Sequence, residues 1–319
     1  MELVRNNTYS NDILFIDGFP NAGKSLVARI IEYHKNTEKC MEDEITCIIN
    51  ELYTHNKIPK DSAITILKIR HDRKILEYIM GRKFNMKPYD VSSLFHNPNP
   101  LRYFMRMVLH KTNQQCEEWI NKNNPLYHTM SQNVIQNYEI YKETFGDRTL
   151  FIYILRNPAD LITRMYEREF EKGIGKEISN IRLTMSYSGT VIPTHAHKWR
   201  EKYLQMNDMD KIIYWYHDMM KECFQSYEKY DDEILTIDFD DLVTDTYNEC
   251  YKITKYIQRE PLRRLKWMLH KEKCPRKINV LDRCDNIDFI LKKSSEDGYS
   301  KFLEMMEIYE RWKEKIHSI

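Results

Sequence analysis

Hydrophobic residues in this chain gather in short unbroken runs that alternate with longer stretches of helical spacing. Ile13 to Asp17, "ILFID", is an apolar run closed by a turn signal, the pattern of a buried strand. Beyond the turn, Leu26, Val27, Ile30 and Ile31 recur at helical spacing, which predicts a helix beginning near Ser25. From about Glu42 to Leu109 the pattern is mostly helical, interrupted near "HNKIPKD" and "HNPNPLR". A second strand, "TLFIYIL" (Thr149 to Leu155), runs straight into "RNPAD", where Pro158 and Asp160 suit the first turn of a helix that "LITRMYEREFE" continues. "HKWREKYLQM" and "IYWYHDMMKECFQSYEKY" are long helical patterns; "EILTIDF" (Glu233 to Phe239) is a third strand, and "DDLVTDTYNECYKITKYIQ" a further helix. Strands alternating with helices predict βαβ units and an α/β fold of three layers, a central parallel sheet flanked by helices. No linker divides the chain, so the expectation is one domain over 1–319, with a helical insertion at about 42–110.

Composition narrows the class. The 319 residues are 42% hydrophobic and 30% charged, enough to bury a core and keep a polar surface. The formal charge is +1, from 49 basic and 48 acidic side chains, which argues against bulk binding of nucleic acid or of an anionic membrane and leaves room only for local basic patches. No apolar run approaches the ~20 residues that span a bilayer, so no membrane span is expected. The opening "MELVRNNTYSND" has no apolar signal segment. The seven cysteines form no C-x-x-C pair, which suits reduced thiols and a cytoplasmic location.

The chemistry starts at "GFPNAGKS". Gly18, Gly23, Lys24 and Ser25 have the G-x-x-x-x-G-K-S spacing of a phosphate-binding P-loop, here with a strand before and a helix after. Glycines let successive backbone N–H groups point into one concavity, and the helix N-terminus adds its positive end. Lys24 supplies a mobile charge; Ser25 can donate to phosphate or ligate Mg²⁺. A kinase would also need a carboxylate for Mg²⁺ at a strand end, and Asp238 in "ILTIDF" is the candidate. The strand "FIYIL", however, ends in Arg156, which suits a second phosphate rather than a metal.

Three segments together resemble one family, the sulfotransferases that use 3′-phosphoadenosine 5′-phosphosulfate (PAPS). "GFPNAGKSLVARII" is similar to their 5′-phosphosulfate loop, P-x-x-G-T-x-(W/L); "FIYILRNPADLITRMYE" to their strand ending in R-(N/D)-P-x-D; and "EILTIDFDDLVTDTYNECYKITKYI" to their "V-x-Y-E-D-L-x-x-D-P" segment. The segments occur in family order from about residue 13 to 257. The helical stretch before Ile234, with Trp199 and Trp215, also fits. The resemblance implies PAPS as cofactor, adenosine 3′,5′-bisphosphate as product, no metal, and a small-molecule, carbohydrate or peptide acceptor. It places the phosphosulfate on Phe19, Pro20, Asn21, Ala22, Gly23, Lys24, Ser25 and Leu26, and the 3′-phosphate on Arg156.

The chain departs from the family in ways that matter. Asn21 stands where relatives carry Lys or Arg, and the charge moves to Lys24, expected to stabilise the leaving phosphate. Arg164 replaces the family's serine, with Thr163 beside it; either could hold the 3′-phosphate. Many relatives carry their catalytic base between the P-loop and the 3′-phosphate strand, and "NNPLYHTMSQN" offers His128 there, ahead of His110, His195 and His197. Arg276 and Lys277 resemble the start of a C-terminal Arg-Lys-Gly segment that closes over the cofactor, with Ile278 in place of the glycine. Two rivals stay open: an ATP/Mg-dependent kinase using Lys24, Ser25 and Asp238, and a nucleotide-binding module without activity.

Overall fold

The computed structural model describes residues 1–6, 9–90, 92–176 and 182–318. Seven strands are present among them: β1 (Ile13–Gly18), β2 (Met41–Glu42), β3 (Tyr127–Met130), β4 (Thr149–Leu155), β5 (Thr184–Tyr187), β6 (Thr190–Pro193) and β7 (Ile234–Asp238). Five of them form one sheet in the order β2-β3-β1-β4-β7, parallel throughout, while β5 and β6 make a separate antiparallel hairpin. The three apolar runs picked out above are β1, β4 and β7. Every residue of β1 is buried, as a central parallel strand covered on both faces requires.

β3 was not expected: "YHTM" has no apolar run and reads as a polar loop. It pairs with β1 from Ile13↔Tyr127 to Ile16↔Met130 and lies between β1 and β2, so Tyr127, His128 and Thr129 are all fully buried despite their polar groups. Two predicted helices are also shorter than their patterns. "HKWREKYLQM" is a 3₁₀ turn, Thr194–Trp199, followed by one helical turn, Arg200–Tyr203. The stretch after β7 breaks at Asp245 into Phe239–Thr244 and Thr246–Ile257.

The register brings strand ends together at one edge. Gly18 pairs with Ile154, and Leu155 with Asp238, so the turns after β1, β4 and β7 emerge side by side. In open parallel sheets ligands bind outside these carboxyl ends. The helix Lys24–Glu32 buries Val27, Ala28, Ile30 and Ile31 against the sheet. The long helix Asp208–Tyr230 and the C-terminal helix Glu296–Ser318 also cover it, with Trp312 stacked on Tyr153 of β4 at 4.6 Å between ring centroids. Between β2 and β3 run the helices Glu44–Thr54, Lys60–Ile79, Pro100–Val108 and Asn113–Asn123. There, a smaller apolar cluster of Tyr78, Leu94 and Tyr103 lies apart from the main core.

Candidate functional site

The loop from β1 into the helix Lys24–Glu32 is built on two glycines whose backbones no L-residue would adopt without strain. Gly18 has φ +139°, and a Cβ there would lie 2.8 Å from the Ile154 carbonyl of β4. Gly23 has φ +111°, and a Cβ there would meet the Phe239 ring at 2.5 Å. Gly23 is also the helix N-cap and brings no capping side chain, which makes this helix N-terminus a place for an anion; within the first turn the Leu26 N–H bonds the Gly23 carbonyl at 3.0 Å. Lys24 Nζ donates to the carbonyls of Gly18 and, at 3.0 Å, Phe19, folding the cation into the loop.

β4 delivers Arg156 to the same place. The next residues explain their own identity: Asn157 is an N-cap whose side chain accepts from the Ala159 N–H at 3.0 Å, and Pro158 takes the first helical position. Arg156 is buried, and its Nη1 donates to the Asn21 carbonyl at 2.8 Å. Its guanidinium lies 4.1 Å from the Phe239 ring centroid, and its buried Nε has no hydrogen-bond partner among the described residues. Burial first, and then the neighbouring Arg164 cation, push its pKa down to about 10. Cations crowded to this extent, with a donor unspent, are the environment a bound anion relieves.

These groups line one cavity of about 540 Å³: Pro20 to Ser25 on one side, Arg156, Arg164 and Arg168 on another, with Asp43, Glu44 and Cys47 also in its wall. Arg168 was missed in the sequence, where an exposed helix arginine reads as solvated. Its one signal is position, four residues after Arg164 and so on the same helix face. Here it donates to Asn21 Oδ1 at 2.6 Å, so both oxygens of Asn21 are held by arginines. Phe239 was likewise missed; it packs between Gly23 and Arg156 and ties the segment after β7 to the loop.

Several expected residues lie elsewhere. Phe19 is fully buried against Tyr216 at 4.9 Å, offering its carbonyl to Lys24 and no side chain to the cavity; Leu26 is also outside the lining. Of the pair expected at the second phosphate, Arg164 lines the cavity, while Thr163 is buried and its hydroxyl has no hydrogen-bond partner among the described residues. Arg276 and Lys277 are exposed and outside the lining. Arg276 Nη1 donates to the Glu272 carbonyl at 3.1 Å, and its guanidinium lies 5.9 Å from the Phe239 ring centroid.

His128 requires a correction. It is not in a loop at the cleft but inside β3, with its side chain fully buried and absent from the cavity wall. Neither ring nitrogen has a hydrogen-bond partner of normal geometry among the described residues. Burial outweighs the favourable Ala28 backbone group and pushes its pKa down to about 3, so the imidazole is neutral and sealed from solvent. Asp238 is likewise committed. As an N-cap it accepts from Asp240 and Asp241 N–H at 2.7 and 3.3 Å; it also accepts from Tyr309 Oη at 3.0 Å, and it lines no part of the cavity. The carboxylate a kinase would need is spent on structure.

Two carboxylates do reach the cavity, and they differ. Asp43 is buried; although burial opposes its charge, Arg70 (Nη2 to Oδ1 2.8 Å), His71 and Lys74 hold its carboxyl below the usual range. Glu44, next in sequence and in the first turn of its helix, is exposed. Beneath the loop, Asp17 is fully buried and accepts from the Ile135 N–H at 2.9 Å; burial raises its pKa despite that bond. Cys47 is no nucleophile, since burial pushes its thiol up to about 11.

No family model matches the chain, and no curated protein matches it in sequence. Among solved structures it is similar to the sulfotransferase domain from the curacin biosynthetic pathway, at 13% identity over 81% of this chain and 77% of that one, with a TM-score of 0.43. It is also similar to the sulfotransferase domain of the Synechococcus PCC 7002 olefin synthase, at 10% identity over 98% of both chains and TM-score 0.45. A third is a sulfotransferase from Mycobacterium tuberculosis H37Rv, at 9% identity over 90% of this chain and 77% of that one, TM-score 0.44. Likeness this distant assigns no chemistry, which rests on the residues described above.

Proposed function

We propose that this chain is a sulfotransferase that moves a sulfuryl group from PAPS to a hydroxyl or amine, with the whole of 1–319 as one domain and a helical insertion at about 42–110. The observation that carries the reading is one cavity walled both by a P-loop and by the Arg156–Arg164–Arg168 cluster, with Arg156 Nε buried and unbonded. A single phosphate needs only the loop; a ligand with anionic groups at two ends uses both. The glycine cradle and the unspent arginine donor fit PAPS, with the phosphosulfate at residues 20–25 and the 3′-phosphate at Arg156 and Arg164.

Bound PAPS supplies an activated sulfuryl group, and the protein supplies the rest. Pro20 to Ser25 and the arginines orient it. Lys24, exchanging loop carbonyls for ligand oxygens, stabilises charge on the phosphate as its bond to sulfur breaks, an effect worth several kcal/mol in comparable sites. As the acceptor oxygen or nitrogen bonds to sulfur its proton must leave, and Glu44 is the group to take it: an exposed carboxylate in the same wall, whereas Asp43 is tied to Arg70 and Lys74. All seven cysteines are free, as a reducing cytoplasm would keep them.

Thermal-shift titration tests the reading. Adenosine 3′,5′-bisphosphate is expected to bind about ten- to a hundredfold more tightly than ADP, the worth of a buried charge-assisted contact at Arg156. Equal affinity for the two, or a requirement for Mg²⁺, returns the kinase reading.

A further inference from the structure

The helix Pro100–Val108 is packed inside out. Its sequence "PLRYFMRMV" carries the apolar stripe of a core-facing helix at Leu101, Phe104, Met105 and Val108, spaced i, i+3, i+4, i+7. That stripe faces solvent: the four residues are 66%, 47%, 42% and 58% exposed. Its arginines turn inward instead. Arg102 Nη2 and Arg106 Nη1 both bind the fully buried carboxylate of Glu38, the latter at 2.7 Å, and both guanidiniums lie over the Tyr103 and Trp119 rings. Turning the helix to bury its apolar stripe would strand a buried carboxylate, so Glu38 locks the exposure in place.

The patch extends beyond the helix. Phe95 is 53% exposed, Tyr89 is fully exposed, and Leu109 continues the stripe. The segment carrying Tyr89 is tied to that carrying Phe95 by the Leu94 N–H to Asn85 carbonyl bond at 2.8 Å. Cations border it. Between Arg82 and Lys111 there are six basic side chains and one acidic, in a chain whose total charge is +1; Arg102 and Arg106 are spent on Glu38, and Lys83 on Glu77 at 2.8 Å. Arg82 is placed beside the end of the helix, because Gly81 packs so closely on it that a Cβ would meet the Arg106 carbonyl at 2.2 Å. Lys87 is exposed between Met86 and Tyr89, and Lys111 follows Leu109 by two residues.

We propose that this face seats on an anionic lipid surface, the helix lying in the plane of the interface with Leu101, Phe104, Met105 and Val108 among the acyl chains and Arg82, Lys87 and Lys111 at the headgroups. Charge complementarity selects this occupant. The outward stripe offers no polar group for a partner protein to recognise, and the cations stand at its border, where an anionic bilayer places its phosphates. The inference stands apart from sulfuryl transfer.

Co-sedimentation of the full chain with vesicles tests it, using phosphatidylcholine alone and phosphatidylcholine mixed with phosphatidylglycerol. The mixed vesicles are expected to bind the protein and the neutral ones to bind it far less, with binding to the mixed vesicles falling as salt is added. Phe104→Ser is expected to lower binding about tenfold or more, the factor that burying one large apolar side chain is worth. Arg82→Gln with Lys87→Gln should weaken it at unchanged melting temperature, so a folding defect in the apolar variant would not hide the answer. Binding to neither vesicle, equal binding to both, or binding that survives both sets of substitutions overturns the proposal. Self-association abolished by Phe104→Ser, in place of vesicle binding, also overturns it and makes a second copy the occupant.

Discussion

Lys24 and Glu44 stand in one cavity wall, and their substitutions should separate binding from chemistry. Lys24→Ala is expected to reduce turnover of PAPS about 10²-fold while cofactor affinity falls less, since the cation matters most as charge develops on the leaving phosphate. Glu44→Gln should cost roughly 10²–10⁴ in turnover and leave affinity for adenosine 3′,5′-bisphosphate unchanged; normal turnover would remove Glu44 as the base. His128→Leu should leave turnover intact and the melting temperature equal or higher, because it removes two buried nitrogens that make no normal hydrogen bond and keeps the apolar volume. Arg156 was legible in the sequence because a charged residue ending an apolar strand demands a partner. Glu44 and Arg168 were not, because exposed charges on helices are the rule and only the fold shows which of them share a wall.

Glu171 adds a pH dependence at the same scale. It is buried in the helical turn Phe170–Gly173, accepts from Tyr203 Oη at 3.2 Å, and has its pKa pushed by burial from 4.5 up to about 7. His195 Nε2 is 3.8 Å away, but burial lowers that imidazole well below its usual pKa, so below about pH 7 the two face each other uncharged rather than as an ion pair. The folded state therefore favours protonated Glu171. Its contribution is fully present below pH ~4.5 and is lost as pH rises through about 7, on the order of 3 kcal/mol. Glu171→Gln should flatten that fall in urea-unfolding free energy between pH 5 and 7, the range between the two pKa values, where up to ~1.4 kcal/mol accompanies each unit. An unchanged slope would show the carboxyl ionised in the native protein.

Elements, more than single residues, decide whether the glycine loop after β1 exists. Gly23 combines a left-handed backbone with the Phe239 ring where its Cβ would go, so Gly23→Ala meets both strain and collision. A loss of roughly 1–3 kcal/mol of stability is expected from the backbone alone, together with loss of the thermal shift given by adenosine 3′,5′-bisphosphate. A variant with wild-type melting and binding would show that the loop tolerates another conformation. At this scale β1, β4 and β7 were readable because buried parallel strands are continuous apolar runs. β3 was not, since its polar residues are buried by position between β1 and β2. The same gap misplaced His128: a histidine in "PLYHTM" reads as a loop residue until the sheet closes around it. The Pro100–Val108 helix is the converse case: its second half falls in the stretch read as helical, its first turn in the expected interruption at "HNPNPLR", and the face it buries is set by Glu38, distant in sequence.

The whole molecule links its C-terminal helix to the glycine loop after β1 through a chain of contacts. Trp312 stacks on Tyr153 and lies 5.4 Å from Phe224 and 5.2 Å from Tyr227; one turn earlier, Tyr309 donates to Asp238, which caps the helix bearing Phe239. Phe239 in turn lies against Gly23 and Arg156. Trp312 is fully buried, so Trp312→Ala should cost about 3–5 kcal/mol, a large share of the roughly 5–15 kcal/mol that holds a folded protein together. The contact chain predicts more than lost stability. Adenosine 3′,5′-bisphosphate at a hundred times its dissociation constant should stabilise the wild type by about 2.7 kcal/mol. At that same ligand concentration the variant should gain less, because the cap beneath Phe239 has lost its support and affinity falls with it. Urea unfolding with and without the ligand measures both terms. An equal ligand response in the two proteins would show that the C-terminal helix holds the sheet without positioning the site, and the coupling from Trp312 to Gly23 would have to be abandoned.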